Sequence, residues 1–469
     1  MSNLATWKQS WQALDEQMKM METTCELGVL QGKARMQTLL RLVKCLRVFA
    51  AGQFHFFYQG FDTNALNLAT HPDYPVDYVM RGVIYQIEND IEAIQKAITQ
   101  RDVGTSKMKS TLALTDQLAF DALKPALHGT PPIITDTPTV ITYFQKFASI
   151  RLIPYAPVAL VGIPFSCTEN SKDLLAVPHE IGHYVFRHGA NSNGTFRKQL
   201  DDYLNTLQPS PKYNRKWMEE VFADAYGCLV AGAAMALDFQ DLQIEKSPDD
   251  FIDDDGEHPA PLLRPYLYTA VLSYISASWS DKLRVLWDAR RQAQNASGSE
   301  SFTTVDRRNK TIQVIHYLSA FDSTNINANL PVNHTLRKAL ELLPDANLAH
   351  WNEAAWWTQI RNIQLTPAIS TLTFTNLDTD TSAIQDFIYQ DLQDKITGQN
   401  IPSHDIPELT GSCDTSDLDD VGKRQTFIDT LVVSWPSPFF TVNSPQDNWD
   451  KVWVANGWQT SGNGQWIQT

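Results

Sequence analysis

The sequence LLAVPHEIGHYVFRHG, Leu174–Gly189, contains two histidines four residues apart, with a glutamate directly after the first. Its apolar pattern favours a helix, and on a helix His179 and His183 project from one face. Two imidazoles in that arrangement can bind one metal ion with Glu180 beside it. The stretch therefore predicts a helix that carries part of a metal site. The alternative is an ordinary helix in which the glutamate forms an ion pair and the histidines are hydrogen-bonded.

Both ends of this helix are marked by particular residues. Pro178 removes a backbone hydrogen bond, so the helix either starts near Val177 or bends just before His179. At the other end His188 suits a helix C-terminus, and Gly189 is expected to take the left-handed cap. His188 lies about 180° around the helix from His179. It is therefore not a candidate ligand.

A second helix is predicted from Trp217–Gly227, WMEEVFADAYG, which leads into the apolar run Ala225–Leu237. Within it Glu220 and Asp224 are four residues apart and share a face. Glu219 is expected on a different face. The alternative for these acidic residues is the solvated side of an amphipathic helix.

The HExxH and ExxxD patterns together resemble the gluzincins, zinc peptidases such as thermolysin whose third zinc ligand is the glutamate of a following helix. The resemblance implies a Zn²⁺ site with three protein ligands: His179, His183 and Glu220. It also implies that Asp224 accepts the outer N–H of a ligand histidine, which fixes the tautomer and raises its basicity. Glu180 is then the expected general base for peptide hydrolysis. The metzincin pattern is excluded, because Phe186 and Gly189 stand where its glycine and third histidine belong.

The segment HPAPLLR, His258–Arg264, is similar to the HPxxxxR segment of the prenyl-protein-processing and heat-shock membrane endopeptidases, which are gluzincins. The likeness implies that His258 and Arg264 assist at the reacting carbonyl and hold the glutamate end of the site. Both are therefore predicted auxiliary catalytic residues. The alternative is a loop in which Arg264 starts an apolar helix over Leu267–Leu286. The likeness covers about Val158–Arg264, under a quarter of the chain.

The remaining patterns predict an α+β protein, predominantly α-helical, with a zincin-like catalytic core, a small mixed or antiparallel sheet and flanking helical domains. Apolar stripes predict three N-terminal helices, over Trp7–Cys25, Leu39–Leu46 and Val76–Ile98. The proline-rich stretch Gly129–Pro138 predicts a linker. The resulting domains are 1–130, 131–292 and 293–469. Val158–Ile163 predicts a strand, expected at a sheet edge because prolines flank it. At an edge this strand could pair with the backbone of a peptide substrate.

Further predictions concern the flanking regions. The basic residues Arg41, Lys44 and Arg47 are expected on a solvated helix face. Residues 336–364 are expected to be helical, with three tryptophans in the core: Trp351, Trp356 and Trp357. The stretches Asp249–Glu257 and Asp414–Asp420 are expected to be acidic loops. The Trp-rich end, from Trp435, is expected to be a packed cap or a partner surface.

Composition excludes several functional classes. A net charge of −15 argues against nucleic-acid binding and against anionic lipid as a partner. The apolar run Ala225–Leu237 is too short to span a bilayer and is predicted to be a buried helix. No secretory signal is recognised, and five scattered cysteines indicate neither a disulfide framework nor a thiolate metal site. We therefore expect a cytoplasmic endopeptidase acting on a peptide or protein substrate, or alternatively a catalytically inactive zincin-fold binding or scaffold protein.

Overall fold

The computed structural model describes residues 4–63, 76–129, 131–135, 137–153, 155–206, 215–246, 250–252, 258–297, 319, 321–343, 349–398, 406–409, 458–460 and 466–468. The helices are α1 (Leu4–Leu30), α2 (Met36–Thr63), α3 (Val76–Asp102), α4 (Ser106–Leu127), α5 (Val177–His188), α6 (Phe196–Thr206), α7 (Arg215–Ile244), α8 (Arg264–Leu272), α9 (Ala277–Ser297), α10 (Pro331–Leu342), α11 (Ala355–Arg361), α12 (Pro367–Ser370) and α13 (Leu377–Gly398). The strands are β1 (Thr139–Gln145), β2 (Ser149–Arg151), β3 (Val158–Pro164), β4 (Ala190–Asn191), β5 (Gly194–Thr195), β6 (Trp458–Thr460) and β7 (Trp466–Gln468). A mainly helical α+β class is confirmed.

The first three helices pack against one another through the predicted apolar stripes. Met18 and Cys25 of α1 are fully buried, as are Leu42 and Leu46 of α2 and Ile94 of α3. The predicted solvated face of α2 is only partly exposed, because its basic residues also make contacts within the protein. Arg47 donates to Asp15 at 2.8 Å and thereby ties α2 to α1. Arg41 donates to the Leu409 carbonyl oxygen at 2.6 Å.

The central sheet has three strands in the order β1-β3-β2. β1 pairs with β3 in parallel, and β2 pairs with β3 antiparallel, so the sheet is mixed. The strand over Val158–Ile163 is confirmed, but its expected place at an edge is wrong. Its flanking prolines fall before the strand and at its last residue, Pro164, where a missing N–H interrupts no central pairing. The short β2 is one of the two edges.

Two hydrophobic cores lie on opposite faces of this sheet. One contains α1–α3 together with Ile141, Val158 and Leu160. The other contains α4, α5, α7 and the residues of β1 and β3 that point the opposite way, such as Val140 and Val161. Since α4 packs with α5 and α7, it belongs to the core on the side of the HExxH helix. The division into domains 1–130, 131–292 and 293–469 remains a prediction.

The proline-rich stretch after α4 has exposed prolines at 131 and 132 but is anchored to the core by two isoleucines. Ile133 and Ile134 are buried, and both backbone amides donate to the Ala126 carbonyl oxygen at 3.0 Å. The Ile133 carbonyl oxygen accepts from Ala190, directly after α5. This stretch therefore connects α4 to the end of the motif helix.

The long helix α7 is the centre of the larger core. Its length and hydropathy alone would allow it to cross a membrane, but the whole of its most apolar window is buried inside the protein. Within α7, Gly232 adopts φ 64°, and a side chain there would press on Arg361 of α11 at 3.0 Å. The predicted burial of Ala225–Leu237 is confirmed, but the helix is kinked at Gly232, whose φ of 64° and ψ of −137° are not helical.

The segment Leu267–Leu286 was predicted as one helix and forms two. α8 ends at Leu272, and α9 begins at Ala277 after a turn of Ser273–Ser276. The Ser276 hydroxyl accepts from the Trp279 amide at 3.4 Å, as a capping serine does at a helix start. Arg264 does begin α8. The predicted core tryptophans of the C-terminal part are confirmed: Trp351, Trp356 and Trp357 are fully buried.

Other predictions fall on residues outside the described ones. These are the acidic stretch Asp414–Asp420, most of Asp249–Glu257, and the side chains of the Trp-rich end. The sequence indicates no disulfide framework, and among the described cysteines only Cys45 is disulfide-bonded. Cys25, Cys167 and Cys228 are free and buried.

Candidate metal centre

The helix that carries both histidines starts without a bend. A 3₁₀ helix over Ser171–Ala176 leads directly into α5 at Val177. Pro178 then lies in the first turn, where a helix has unpaired N–H groups and a missing one costs nothing. Of the two sequence-based alternatives, a start near Val177 is therefore correct. His179 follows at once and is buried.

The helix ends at His188, as expected, but its cap differs from the prediction. Gly189 has φ −74° and ψ 143°, an extended conformation rather than a left-handed one. The site still requires a small residue. A Cβ atom would lie 2.4 Å from the Val185 carbonyl oxygen and 2.7 Å from the Phe196 ring.

Close contact between α5 and α7 brings the two motifs together. Gly182, inside the HExxH pattern, faces Ala223 of α7, and a Cβ atom on Gly182 would lie 2.8 Å from the Ala223 Cα. Only glycine permits the two backbones to approach this far. The crossing therefore places the histidine face of α5 directly against Glu220 and Asp224.

Three donor atoms converge at this crossing. The Nε2 atoms of His179 and His183 lie 3.1 Å apart. Glu220 completes the triangle, with Oε1 3.4 Å from His183 Nε2 and Oε2 3.5 Å from His179 Nε2. Zinc–ligand bonds of about 2.0–2.1 Å at tetrahedral angles place two ligands roughly 3.3 Å apart. The spacing of the three residues fits one tetrahedral metal ion, and two imidazoles with one carboxylate fit zinc.

A buried carboxylate and arginine support the first histidine. His179 Nδ1 lies 3.0 Å from Asp224 Oδ1, although the alignment falls short of a hydrogen bond. Arg264 donates to both oxygens of Asp224 at 2.8 Å, and also to Glu220 Oε2 at 2.8 Å. Tyr268 donates a hydrogen bond from its hydroxyl group to Asp224 Oδ1. We call His179, Asp224 and Arg264 the inner arm.

The second histidine has a corresponding pair of partners at the mouth of the cleft. His183 Nδ1 lies 3.3 Å from Glu219 Oε1. Arg187 donates to Oε1 of that glutamate at 3.0 Å and also to Oε2. The sequence prediction placed Glu219 on a different face from the site, and it is wrong in this respect. We call His183, Glu219 and Arg187 the outer arm.

The donor atoms open into a cleft of ≈ 280 Å³. One wall is the edge strand β2 with the residues that flank it. Glu180 lines the cleft although it is only 8% exposed. His258 also lines it, half-exposed, with Nε2 3.6 Å from Glu220 Oε1. Arg264 is buried and is not among the lining residues, although its Nη2 lies 3.4 Å from His179 Nε2 and 2.8 Å from Glu220 Oε2.

Before any metal binds, the charges at the centre favour the protonated form of His179 and the ionised form of Glu220. Burial favours the neutral imidazole, but Asp224 and Glu220 outweigh it and raise the pKa of His179 to about 9. Burial also opposes ionisation of Glu220, yet His183 and Arg264 hold its pKa well below the usual range. Burial raises the pKa of Glu180. A metal must displace protons from the imidazoles, so metal binding is expected to release protons.

No family model, curated protein or solved structure matches this chain. The candidate centre therefore stands on its own geometry.

Sequence reasoning missed three residues that the structure brings to the centre: Glu219, Arg187 and Tyr268. For Arg187 a signal was present, because it lies four residues after His183 and so shares its helix face. For Glu219 no signal was present, since its reach depends on how closely α5 and α7 cross.

Proposed function

We propose that the protein is a zinc-dependent endopeptidase with a gluzincin-like catalytic core. The observation that supports this most strongly is the convergence of His179, His183 and Glu220 on one point inside a cleft that Glu180 also lines. Three protein ligands in an open cleft leave a coordination position for water or substrate, as catalytic zinc sites require.

The three ligands would hold Zn²⁺, which when bound supplies a Lewis acid and lowers the pKa of a water molecule. Glu180 accepts a proton from the water that attacks the scissile carbonyl. It then returns the proton to the leaving amine, so the same carboxylate serves as base and acid. Because Glu180 follows His179 directly on α5, the helix that holds the metal also fixes the proton acceptor.

The edge strand β2 is the part of the sheet suited to bind a substrate backbone. The predicted pairing of Val158–Ile163 with the substrate is wrong. This segment belongs to β3, which lies between β1 and β2 and is paired with both. No described strand pairs with the outer side of Ser149–Arg151, which faces the cleft. An extended peptide added there would run past Glu180 and the donor atoms.

The two auxiliary residues have different roles in this proposal. His258 lines the cleft and lies near the ligand Glu220, so it can donate to the oxyanion that forms on the scissile carbonyl. Arg264 is buried and bonded to Glu220 and Asp224, so it holds the glutamate end of the site instead of contacting the substrate. A cytoplasmic location and the absence of nucleic-acid partners remain predictions.

The decisive experiment replaces Glu180 by glutamine. Glu180→Gln is expected to bind about one zinc per chain with unchanged stability, because Glu180 is not a ligand. It should lose peptide cleavage by roughly 10²- to 10⁴-fold. Substrates are found by mapping new protein N-termini after incubating proteomes with wild-type protein or Glu180→Gln.

Glu169→Gln serves as the control, since Glu169 is exposed and pairs with Lys107 at the surface. It should cleave at the wild-type rate. Identical N-terminal profiles for the wild type and Glu180→Gln would instead support a catalytically inactive scaffold that retains the metal site.

A further inference from the structure

We infer that Glu219, held by Arg187, is a positioning residue that fixes His183 as a metal ligand. The inference rests on the proposed zinc site. It assigns to this chain a second carboxylate–histidine pair in addition to the Asp224–His179 pair that the ExxxD pattern implies.

The geometry around His183 is the first support. Nδ1 lies 3.3 Å from Glu219 Oε1, and Nε2 lies 3.1 Å from His179 Nε2, on the side of the donor triangle. With its N–H donated from Nδ1 to Glu219, the neutral ring keeps the lone pair of Nε2 directed at the metal position. An outer carboxylate of this kind selects the tautomer and the orientation of a ligand histidine.

The contacts of Glu219 are the second support. Arg187 donates to both of its oxygens, and a planar guanidinium in that arrangement restricts carboxylate rotation. Arg187 lies one helical turn after His183 on α5, whereas Glu219 comes from α7. The outer arm therefore joins the two helices at the point where their ligands meet.

Burial distinguishes this pair from an ordinary surface salt bridge. The Glu219 and Arg187 side chains are 14% and 15% exposed, and both line the cleft. A Glu–Arg ion pair that only stabilised the fold would not need to lie beside Nδ1 of a ligand histidine.

The test measures zinc release from the full-length protein to an excess of chelator. Glu219→Ala is expected to release zinc about 10- to 100-fold faster than the wild type, which is the usual effect of removing an outer partner. Glu219→Gln retains an oxygen that accepts from Nδ1, so it should restore most of the wild-type rate. Co²⁺-substituted Glu219→Ala should also show an altered ligand-field spectrum, which reports the geometry around the metal directly.

The matched control is Glu353→Ala, which removes a glutamate 3.1 Å from the Nδ1 of His128, a histidine outside the metal centre. It should leave zinc release unchanged. If wild-type protein binds zinc but Glu219→Ala releases it at the wild-type rate, the positioning role is wrong and the proposed function stands. Equal acceleration in Glu219→Ala and Glu219→Gln would also overturn the role of the hydrogen bond. If the wild type binds no zinc, both the inference and the proposed function fail.

Discussion

The inner and outer arms contain the same three groups in the same order but differ in depth. In each arm a histidine Nδ1 faces a carboxylate, and an arginine donates hydrogen bonds to both oxygens of that carboxylate. Asp224 of the inner arm is 1% exposed, whereas Glu219 of the outer arm is 14% exposed and borders the cleft. Arg264 also bonds to the ligand Glu220, whereas Arg187 bonds to Glu219.

This difference separates stability from metal binding. Charges that are removed from water must be compensated by their partners, so breaking the inner arm takes the bidentate partner from a buried guanidinium and leaves it compensated only in part, by Glu220. The outer arm is closer to solvent, and water can replace part of a lost contact. We therefore expect the inner arm to determine whether the core folds and the outer arm to adjust how tightly His183 holds the metal.

The largest expected effect follows from neutralising the inner carboxylate. In metal-free protein, Asp224→Asn should lower the free energy of unfolding by about 3–5 kcal/mol, because Arg264 loses its bidentate partner in a buried position. Glu219→Gln should lower it by only about 1–2 kcal/mol, since the outer arm is partly solvated. Urea unfolding of both variants at neutral pH measures the two values. Equal losses would contradict the division between the arms.

The inner arm was largely predictable from sequence and the outer arm was not. A spacing of four places His179 with His183 and Glu220 with Asp224, so helical periodicity alone defined two faces that could meet. Periodicity does not give the distance between the helices. Gly182 allows so close a crossing that Glu219, one position beside the predicted face, also reaches His183.

The sheet illustrates the same limit. Val158–Ile163 was recognised because six apolar residues between prolines form a local pattern. β2 has only three residues, which is too few for any pattern, and it becomes a strand by pairing with β3. The cleft wall was therefore not predictable from the sequence, although the metal ligands beside it were.

The next largest expected effect concerns the close crossing of α5 and α7, which positions both arms. Gly182→Ala forces the helices apart, because its Cβ would lie 2.8 Å from the Ala223 Cα and 3.0 Å from its carbonyl oxygen. We expect a loss of about 1–3 kcal/mol in the free energy of unfolding, as for overpacked cores, together with weaker zinc binding. Gly28→Ala is the control, since its Cβ would meet the flexible side chain of Met36. Wild-type zinc affinity in Gly182→Ala would show that the ligands do not depend on this close approach.

The smallest effect is a pH dependence that belongs to the outer arm. His183 and Arg187 overcome the effect of burial and hold the pKa of Glu219 at about 2, below the ordinary value of 4.5. A carboxylate whose pKa is lowered by folding stabilises the folded state above its unfolded pKa, and this contribution is lost as the pH falls toward the folded pKa. In metal-free protein the stability that Glu219 adds should therefore be complete near pH 6 and smaller by about 1 kcal/mol at pH 4.

Urea unfolding of the wild type and Glu219→Gln at both pH values gives the change, with Glu353→Gln as the control for loss of a charge beside a histidine. A difference between the wild type and Glu219→Gln that stays constant from pH 6 to pH 4 would mean that Glu219 is not ionically coupled to His183 and Arg187, and the outer arm would then be a packing contact only.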